Sequence, residues 1–470
     1  MSEALTRELS ILLGPSGWIP GSDAEKWTRD WLDRYGEQPL GVARPKTTEE
    51  VSKIVVKCAE ANVKLVPQGG NTGLVGGSVA HGPNQIIVSM ERMNGIGTLS
   101  ETSGAIEVEA GVVLGDLHQW LSDTGQIFPL HLGSKGSAQI GGLIATNAGG
   151  SHAFRFGMMQ DLVLGIEVVL PDGSVFDGMR AVQKDNAGYQ LRKLFCGSEG
   201  TLGIVTRTVL KLMPRPSQSS TALLAVESPA MALKLARALR AEIGEFLTAL
   251  EFFSDCGLSF ALKNIPDLKF PLQTRSQTYV LVEAQACSER VALQTIFEGI
   301  LDSEMHHGVI SDGVIASSEK QAKDIWRIRE EQPEGQRLEG PQLKHDVSVP
   351  TDRVDEFLKL AEAKCQKILP DIRINPFGHL GDGNIHYNIS PPLGGSDFFG
   401  RESEIRNELY QLATSMNGSF AAEHGLGIVK TNTADNLRGT PERQLMAVIK
   451  SCLDPSVLLN PNVVTNLQQQ

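Results

Sequence analysis

The sequence predicts an α+β fold with two main domains, and three observations support this. The chain has 470 residues, more than one hydrophobic core usually serves. Helical and strand-like patterns alternate along most of it, and glycines concentrate in loops that follow strand-like segments. A cluster of prolines and serines, PRPSQSS (Pro214–Ser220), interrupts this alternation. We therefore expect an N-terminal helical segment (1–37), a first domain (38–216), a second domain (217–420) and a C-terminal helical segment (421–470).

Composition and charge exclude several classes of protein. With 41% hydrophobic and 21% charged residues the chain can bury a sizeable core, and no apolar run is long enough for a membrane span. A net charge of −12 argues against nucleic-acid binding as the main activity. The opening residues, MSEALTRELSILLGPSGW, lack the features of a secretory signal. The six cysteines form no CxxC pair, so we expect neither a disulfide framework nor a thiolate zinc site, and we expect a reducing, cytoplasmic setting.

The elements of the first domain follow from local patterns. In TTEEVSKIVVKCAEANV, Thr47 and Thr48 lie near a helix cap and Glu49 and Glu50 fall in the first turn, so a helix begins there. Several later segments read as strands bounded by Gly, Pro or Asp-Gly turns: KLVPQGG, NQIIVSM, AIEVEAGVVL, LVLGIEVVLPDGSVF and GIVTRTVLKLMP. The first domain is therefore predicted to be α+β with glycine-rich loops.

The second domain repeats the alternation with a different pattern. After the proline cluster come ALLAVES, the helical PAMALKLARALRAEI, LTALEFF and TYVLVEA. This order predicts a compact α+β domain with a mainly antiparallel sheet. A helix-like stretch at 354–369 precedes the polar segment NPFGHLGDGNIHYN (Asn375–Asn388), and the chain ends in a helical region.

Three glycine-rich loops are the first chemical signal. PQGGNTGLVGGSV (Pro67–Val79), GSKGSAQIGGLIATNAGGSHAFRFG (Gly133–Gly157) and CGSEGTLGIVT (Cys196–Thr206) all lie beside predicted strands. Glycine lets main-chain N–H groups converge on an anion without obstruction by a Cβ atom. The loops match neither a dinucleotide GxGxxG nor a phosphate-binding GxxxxGK[ST] motif. They suit a long phosphate-bearing cofactor; the alternative is a set of turns without a ligand.

The polar segment is the second signal. His379 and His386 lie seven residues apart on a glycine-rich turn, and Glu423 follows in AAEHG. Two imidazoles and a carboxylate commonly hold a catalytic divalent metal that keeps open positions. The spacing alone is a weak metal signal, and ordinary hydrogen-bonded histidines remain the alternative. Asp382 either orients one of these histidines or simply forms an Asp-Gly turn.

The three glycine loops resemble the FAD-binding domain of the vanillyl-alcohol oxidase flavoprotein superfamily, and HLGDGNIHYN and AAEHGLG resemble its D-2-hydroxyacid dehydrogenase branch. The resemblance covers nearly the whole chain and implies a vanillyl-alcohol-oxidase-type FAD-binding domain, a substrate or cap domain, and a C-terminal segment that completes the flavin and metal site. It implies non-covalent FAD held by Pro67, Gly69, Gly70, Asn71, Thr72, Gly73, Gly76, Gly77, Ser78, Ser134, Gly136, Ser137, Gly141, Gly142, Gly150, Gly203 and Val205.

The resemblance also assigns roles in the reaction. It implies that His379, His386 and Glu423 bind a divalent metal, zinc by preference, and that His424 is the catalytic base that also contacts substrate. Its substrate-binding positions are Arg329, Lys344 and Asn388, with the arginine and lysine fifteen residues apart as in the D-2-hydroxyglutarate enzymes. On residue type alone, Arg329 would be a surface helix charge. Where those enzymes place a threonine four residues after the arginine, this chain has Pro333.

The function implied is oxidation of a D-2-hydroxy acid to the 2-oxo acid by hydride transfer to flavin N5. D-2-hydroxyglutarate is favoured, and D-lactate, D-malate and a glycolate oxidase-type subunit are the alternatives. Two other classes stay open: a flavin-binding protein with a structural metal, and a metal-dependent hydrolase. The expected electron acceptor is an electron-transfer flavoprotein or a quinone, and the expected assembly is a homodimer with no nucleic-acid partner and no membrane span.

Overall fold

A computed structural model describes residues 2–467, which divide into two compact units. The first unit comprises the chain up to Gly150, Gly157–Pro214 and the segment from Glu423 onward. The second comprises Ser151–Phe156 and Arg215–Ala422. The C-terminal segment therefore returns to the unit that carries the glycine loops.

Strands and helices alternate along the chain. The strands are β1 (Trp18–Pro20), β2 (Gly41–Ala43), β3 (Lys64–Gln68), β4 (Gln85–Ser89), β5 (Ile96–Ser100), β6 (Ala105–Glu109), β7 (Gln126–Ile127), β8 (Val163–Val169), β9 (Val175–Gly178), β10 (Ile204–Lys211), β11 (Met213–Pro214), β12 (Gln218–Val226), β13 (Leu247–Ser254), β14 (Thr278–Ala286), β15 (Asp312–Ile315), β16 (Asp346–Ser348), β17 (Arg373–Ile374), β18 (Phe377–His379), β19 (Asn384–His386) and β20 (Ile389–Ser390). The α-helices are α1 (Ser2–Leu13), α2 (Glu25–Thr28), α3 (Thr48–Glu60), α4 (Leu114–Trp120), α5 (Ile140–Ala145), α6 (Ala153–Phe156), α7 (Met159–Leu162), α8 (Leu191–Phe195), α9 (Pro229–Ile243), α10 (Asp255–Asn264), α11 (Leu293–His306), α12 (Glu319–Glu330), α13 (Gln332–Leu338), α14 (Val354–Ile368), α15 (Glu402–Ser415), α16 (Thr431–Leu437) and α17 (Thr440–Leu453). No helix within 2–467 has both the length and the apolar character needed to cross a bilayer.

The first unit contains two main sheets. One has the order β1-β2-β4-β3, in which β2, β4 and β3 run parallel, and the other is an antiparallel sheet of order β5-β6-β10-β8-β9. Helix α3 begins where its sequence predicts, because the Thr47 side chain accepts a hydrogen bond from the Glu50 N–H. Strand β3 ends at Gln68 and leads directly into the first glycine loop, which therefore begins at the carboxyl end of the parallel strands.

The prediction of an all-helical segment over 1–37 is wrong in its middle. Residues Trp18–Pro20 form strand β1, which pairs antiparallel with β2. Trp18 is buried in this pairing, whereas Trp31 is exposed. Pairing with an available sheet edge outweighs local helical character here, because a short segment gains more from strand hydrogen bonds and burial than from propensity.

The second unit is built on a seven-stranded antiparallel sheet of order β15-β12-β14-β13-β18-β19-β16. Its core packs Ile325 and Ile328 of α12 against Phe377 of β18 and the stacked rings of Phe253 and Tyr279. The sheet confirms the predicted antiparallel α+β architecture. It also brings α12, which carries Arg329, onto the strand that carries His379.

Glu339, just after α13, should contribute pH-dependent stability to the second unit. Its side chain is 7% exposed and accepts hydrogen bonds from Lys263 (2.9 Å), Arg373 (2.6 Å) and Asn264 (3.2 Å). Burial alone would raise the pKa of its carboxyl, but these donors outweigh burial and hold the pKa at about 2. Because the pKa is lowered on folding, the stabilisation is complete above the ordinary value of 4.5 and is lost as pH falls towards 2.

We therefore expect Glu339→Gln to lower the thermal midpoint at pH 7 by several degrees. The lost hydrogen bonds should reduce the free energy of unfolding by about 1–2 kcal/mol, and each kcal/mol shifts the midpoint by about 2–4 °C. The deficit should narrow between pH 4.5 and 3 in differential scanning fluorimetry. Glu334→Gln is the matched control, because Glu334 forms an exposed pair with Arg337 and should shift the midpoint little. A deficit of the same size at pH 7 and pH 3 would contradict the charge-based explanation.

Candidate active site

The three glycine loops of the first unit enclose a cavity of about 630 Å³. This volume lies within the range of cofactor and small-molecule sites. The first loop contributes Pro67 to Val75, Gly77 and Ser78 to its wall. The second loop contributes most residues between Leu132 and Gly149, and the third contributes Glu199, Gly200, Gly203, Ile204 and Val205. Glu423 and His424 also line it. We call this space the glycine-lined cavity.

The first loop is held in shape by side-chain hydrogen bonds. Gln68, at the end of β3, donates through Nε2 to the carbonyl oxygens of Trp27 (3.0 Å) and Ser78 (2.7 Å). Asn71 has a φ of 54° and accepts from the Ser78 hydroxyl at 2.8 Å. The main-chain N–H groups of 70–73 donate to no acceptor within 2–467. A stretch of unsatisfied N–H donors on a cavity wall is a binding site for an anion.

The second loop packs directly on the first because glycines remove the intervening side chains. A Cβ atom on Gly70 would collide with the carbonyl oxygen of Ser137 and lie 3.0 Å from the Ala138 Cα. A Cβ atom on Gly141 would lie 2.7 Å from that of Ala110. The Oε1 atom of Gln139, in the same wall, is buried without a hydrogen-bond partner. A buried acceptor without a protein partner in a cavity wall can accept a hydrogen bond from a ligand bound in that cavity.

Glu199 joins the third loop to the C-terminal segment. Its carboxylate accepts the main-chain N–H groups of Leu426 and Gly427, both at 2.8 Å. Asn460 donates to the carbonyl oxygens of Gly77 (2.8 Å) and Glu199 (2.7 Å). Burial raises the pKa of Glu199. These contacts place the turn after Glu423 and His424 against the cavity wall.

Of the residues predicted to hold the cofactor, all but Gly76 and Gly150 line this cavity. Gly76 has a φ of 71° and turns the first loop, while its carbonyl oxygen lies 2.6 Å from His81 Nε2. Gly150 has a φ of 86° and donates its N–H to Glu423 Oε1 at 3.0 Å. Gln139 and Glu199 also line the cavity but were not predicted, although both lie inside the glycine-rich motifs. A polar side chain inside an otherwise glycine-rich motif was the available signal.

His379 and His386 lie in the second unit on the hairpin formed by β18 and β19. In this pair Phe377 lies opposite His386 and His379 lies opposite Asn384. The two imidazole ring centroids are 5.6 Å apart, and the His386 ring lies 4.9 Å from the Phe377 ring. Antiparallel pairing places side chains on one face of adjacent strands within this distance. The hairpin therefore brings His379 and His386, seven residues apart in sequence, next to each other.

Glu251 is the buried carboxylate next to this hairpin, and sequence reasoning missed it. It is 0% exposed on β13, where its Oε1 lies 2.6 Å from His379 Nδ1 and its Oε2 accepts the Arg329 Nε–H at 2.7 Å. Burial would raise the pKa of the Glu251 carboxyl, but His379 and Arg329 outweigh burial and lower it. No local signal marks Glu251, because it is 128 residues from His379 in sequence.

Asp346 is the carboxylate beside the second histidine. It lies opposite His386 in the pairing of β16 with β19, and its Oδ1 is 4.0 Å from His386 Nδ1. The same oxygen accepts the Asn384 Nδ2–H at 2.9 Å. Asp382, proposed either to orient a histidine or to form a turn, is exposed and accepts the Asn384 main-chain N–H at 3.0 Å in the hairpin turn. Asp382 therefore takes part in the hairpin turn, and two carboxylates distant in sequence, Glu251 and Asp346, lie beside the histidines.

The three predicted substrate contacts differ in their surroundings. Arg329 is buried at the end of α12, with its guanidinium carbon 4.6 Å from the centre of the Phe377 ring. Asn388 is buried and its Nδ2 donates to Gln336 Oε1 at 2.7 Å, so its amide already supports α13. Lys344 is exposed, and its charge contributes, after that of Arg337, to lowering the pKa of Glu334. Arg329 is the one of the three whose surroundings resemble a binding site rather than a surface or a helix contact.

The cavity residues fit FAD, and the histidine pair fits a metal in part. Free N–H donors at 70–73 suit a pyrophosphate, and the partnerless oxygen of Gln139 suits a polar edge of the cofactor. For a metal, contact of His379 Nδ1 with a carboxylate leaves Nε2 as the ligand atom, which is the usual arrangement of metal-binding histidines. Glu423, the third predicted ligand, belongs to the first unit, where it lies next to His424 in the cavity wall.

Two protein-family models match the chain, one in its N-terminal part and one in its C-terminal part. Residues 39–178 match the family model described as an FAD binding domain. Residues 215–464 match that of the FAD linked oxidases, C-terminal domain. The first match contains the first and second glycine loops, and the second match contains the histidine hairpin.

Individual proteins resemble the chain over most of its length. A "Probable D-2-hydroxyglutarate dehydrogenase, mitochondrial" of Oryza sativa subsp. japonica is 37% identical over 96% of this chain and 79% of its own. A "Putative D-lactate dehydrogenase", also mitochondrial, of Schizosaccharomyces pombe is 35% identical over 94% of this chain and 84% of its own. The solved structure of p-cresol methylhydroxylase has a TM-score of 0.77 at 17% identity, over 100% of this chain and 98% of its own, and so shares the fold. The chain therefore belongs to the FAD-linked oxidase family and, within it, to the D-2-hydroxyacid dehydrogenase branch that its glycine loops and histidine motif indicated.

Proposed function

We propose that the protein oxidises D-2-hydroxyglutarate to 2-oxoglutarate, with FAD as the immediate electron acceptor. The observation that carries this proposal is the glycine-lined cavity, whose lining includes both the unsatisfied N–H donors at 70–73 and the Glu423–His424 pair. A proton acceptor thus lies beside the space that suits the flavin. The relatives named as D-2-hydroxyglutarate dehydrogenases support the choice of substrate.

Arg329 is proposed to hold a carboxylate of the substrate. Its Nε is bound to Glu251, whereas its two terminal nitrogens donate to no acceptor within 2–467. Two parallel N–H donors on a planar guanidinium match the two oxygens of a carboxylate. Lys344 and Asn388 are retained as further substrate contacts on the resemblance.

His424 is proposed to take the proton of the substrate hydroxyl. Imidazole suits this role because its ordinary pKa lies near neutral pH. FAD, when bound, supplies the acceptor for the hydride that leaves the substrate Cα. Glu199 holds the turn that follows His424 through the N–H groups of Leu426 and Gly427, and this limits the movement of the imidazole relative to the cavity.

A divalent metal, zinc by preference, is proposed to be bound by His379, His386 and Glu423. The carboxylate contact of His379 Nδ1 supports this assignment, and two imidazoles with one carboxylate form a common catalytic set. A bound metal would lower the pKa of the substrate hydroxyl and so help its deprotonation. The metal and its ligand set rest on the resemblance together with this local geometry.

D-lactate is the second candidate substrate. The residue four positions after Arg329 supports this alternative. Pro333 lies in the first turn of α13, where a proline ring is tolerated because the N–H is not needed by the helix. It provides no hydroxyl for a second carboxylate, whereas the resemblance places a threonine there. The D-lactate dehydrogenase of S. pombe among the similar proteins points the same way.

The first test is anaerobic mixing of the purified flavoprotein with D- and L-2-hydroxyglutarate, D-lactate and D-malate, monitored by flavin absorbance. We expect rapid bleaching by D-2-hydroxyglutarate, slower bleaching by the other D-acids and none by the L-isomer. Prior treatment with a chelator should abolish bleaching, and added zinc should restore it. No bleaching by any acid would refute the dehydrogenase proposal, and bleaching indifferent to chelation would refute the metal's part in it.

Four further properties are proposed on the resemblance and composition. FAD is non-covalent, so acid precipitation should release it into the supernatant. The reduced enzyme passes electrons to an electron-transfer flavoprotein or a quinone, which steady-state assays with each acceptor would distinguish. The protein is a cytoplasmic homodimer; light scattering at the mass of one 50.8 kDa chain, or recovery in another cell fraction, would contradict that.

A further inference from the structure

We propose that Glu251 is a positioning residue that fixes both the metal-binding face of His379 and the substrate-binding face of Arg329. The inference rests on the proposed roles of those two residues and adds a third residue that prepares both. Its basis is that one buried carboxylate divides its two oxygens between the two side chains. A change at this carboxylate should therefore alter metal binding and carboxylate binding together.

The arrangement is built into the sheet. Glu251 and His379 are directly opposite each other in the antiparallel pairing of β13 with β18, so both side chains lie on the same face. Arg329 reaches this face from α12, whose Ile325 and Ile328 are buried in the core beneath it. Three different elements thus meet at one carboxylate that is inaccessible to solvent. Its position is set by the backbone and does not depend on a flexible loop.

The contact selects one form of the His379 imidazole. An ionised carboxylate only accepts hydrogen bonds, so the nitrogen that faces it at 2.6 Å, Nδ1, must carry the proton. The neutral ring then has its lone pair on Nε2, the nitrogen through which a histidine held in this way binds a metal. Glu251 therefore favours the metal-binding form before any metal arrives.

The same carboxylate selects the orientation of the Arg329 guanidinium. Its second oxygen accepts the Nε–H at 2.7 Å, and the Phe377 ring lies against the guanidinium carbon at 4.6 Å. With Nε engaged and one face covered, the two terminal nitrogens remain as a parallel pair of donors without an acceptor in the described chain. That pair is the geometry that binds a carboxylate with two hydrogen bonds.

A purely structural role makes a different prediction. If the cluster of Glu251, Arg329 and His379 only held the unit together, altering it would lower the unfolding temperature without changing ligand affinities in the fraction that folds. If Glu251 positions the two side chains, affinities change in folded, flavin-loaded protein. Affinity for zinc and for a dicarboxylate therefore separates the two roles.

The experiment compares wild-type holoenzyme with Glu251→Gln. The substitution keeps the shape but leaves one acceptor oxygen for two partners. The amide N–H must face either His379 Nδ1, where it favours the wrong imidazole tautomer, or the Arg329 Nε–H, and loss of the charge weakens the hydrogen bond that remains. We expect zinc affinity, measured by competition with a chelator, to fall by about 10- to 100-fold. We expect the Kd of 2-oxoglutarate, measured by perturbation of the oxidised flavin spectrum in chelated protein, to rise at least tenfold.

Glu283→Gln is the matched control. Glu283 is a buried glutamate on the adjacent strand β14, and it accepts hydrogen bonds from Thr248 and Trp326, each at 2.9 Å. The substitution removes the same charge from the same sheet without touching Arg329 or His379. Zinc and 2-oxoglutarate affinities should stay within about twofold of wild type, whatever happens to the thermal midpoint.

Folded Glu251→Gln that binds both ligands as wild type does would overturn the inference, and so would an equal loss in Glu283→Gln. If Glu251→Gln does not fold, Glu251→Asp gives the same test, because its shorter carboxylate cannot meet both partners; wild-type affinities in that variant would also overturn it. Failure of the proposed function is distinguished by the wild-type protein, which would then show no bleaching by any D-2-hydroxy acid. A wild-type protein that binds no zinc would overturn the His379 part, while 2-oxoglutarate binding decides the Arg329 part.

Discussion

Replacing His424 with asparagine should lower kcat for D-2-hydroxyglutarate by about 10²- to 10⁴-fold, the usual contribution of a general base. His424 lies in the wall of the glycine-lined cavity, on the segment that Glu199 holds in place. Asparagine retains polar character and approximate size but cannot accept a proton. Flavin content should remain that of wild type, because the predicted cofactor contacts come from other residues. The measurement is the rate of anaerobic flavin reduction at saturating substrate.

The pH dependence gives a second readout of the same change. A base must be unprotonated to act, so the wild-type rate should rise with pH, and this rise should be absent in His424→Asn. His307→Asn is the matched control, since His307 is an exposed histidine at the end of α11. A His424→Asn protein with full flavin content and a wild-type rate of reduction would exclude His424 as the base.

Replacing Gly70 with alanine should weaken FAD binding by roughly 10- to 100-fold, which corresponds to an overpacking cost of about 1–3 kcal/mol. The added Cβ atom would collide with the Ser137 carbonyl, a main-chain atom that cannot move without displacing the second loop. Separation of the two loops would misplace the N–H donors at 70–73. The variant should purify with less flavin per chain than wild type, and titration of the stripped protein with FAD should give the raised Kd.

Gly82→Ala is the matched control for this prediction. Gly82 lies in the segment between β3 and β4, outside the cavity lining, and a Cβ atom there would meet nothing within 4 Å. It should bind FAD as wild type does, which separates loop packing from a general effect of losing a glycine. Wild-type FAD affinity in Gly70→Ala would show that the close approach of the two loops is not needed for the cofactor.

The sequence predicted correctly those features whose interacting residues lie close together in the chain. The first glycine loop follows strand β3 as predicted. Its glycines line one cavity because they are close neighbours in a single short segment of the chain. The cap of α3 at Thr47 was likewise readable, since its partner is three residues away. Trp18–Pro20 was misjudged because its strand partner, β2, lies more than twenty residues further along the chain.

The same distinction between local and long-range contacts applies to the candidate site. The sequence by itself determined the chemistry available: glycine loops for a phosphate-bearing cofactor, paired histidines, and the Glu423–His424 pair. Only the tertiary structure decided which carboxylates lie against those histidines. Glu251 and Asp346 do so because antiparallel pairing of β13 with β18 and of β16 with β19 sets the register. Such pairs form between residues distant in the chain, and sheet register depends on the packing of the whole domain, which no local pattern encodes.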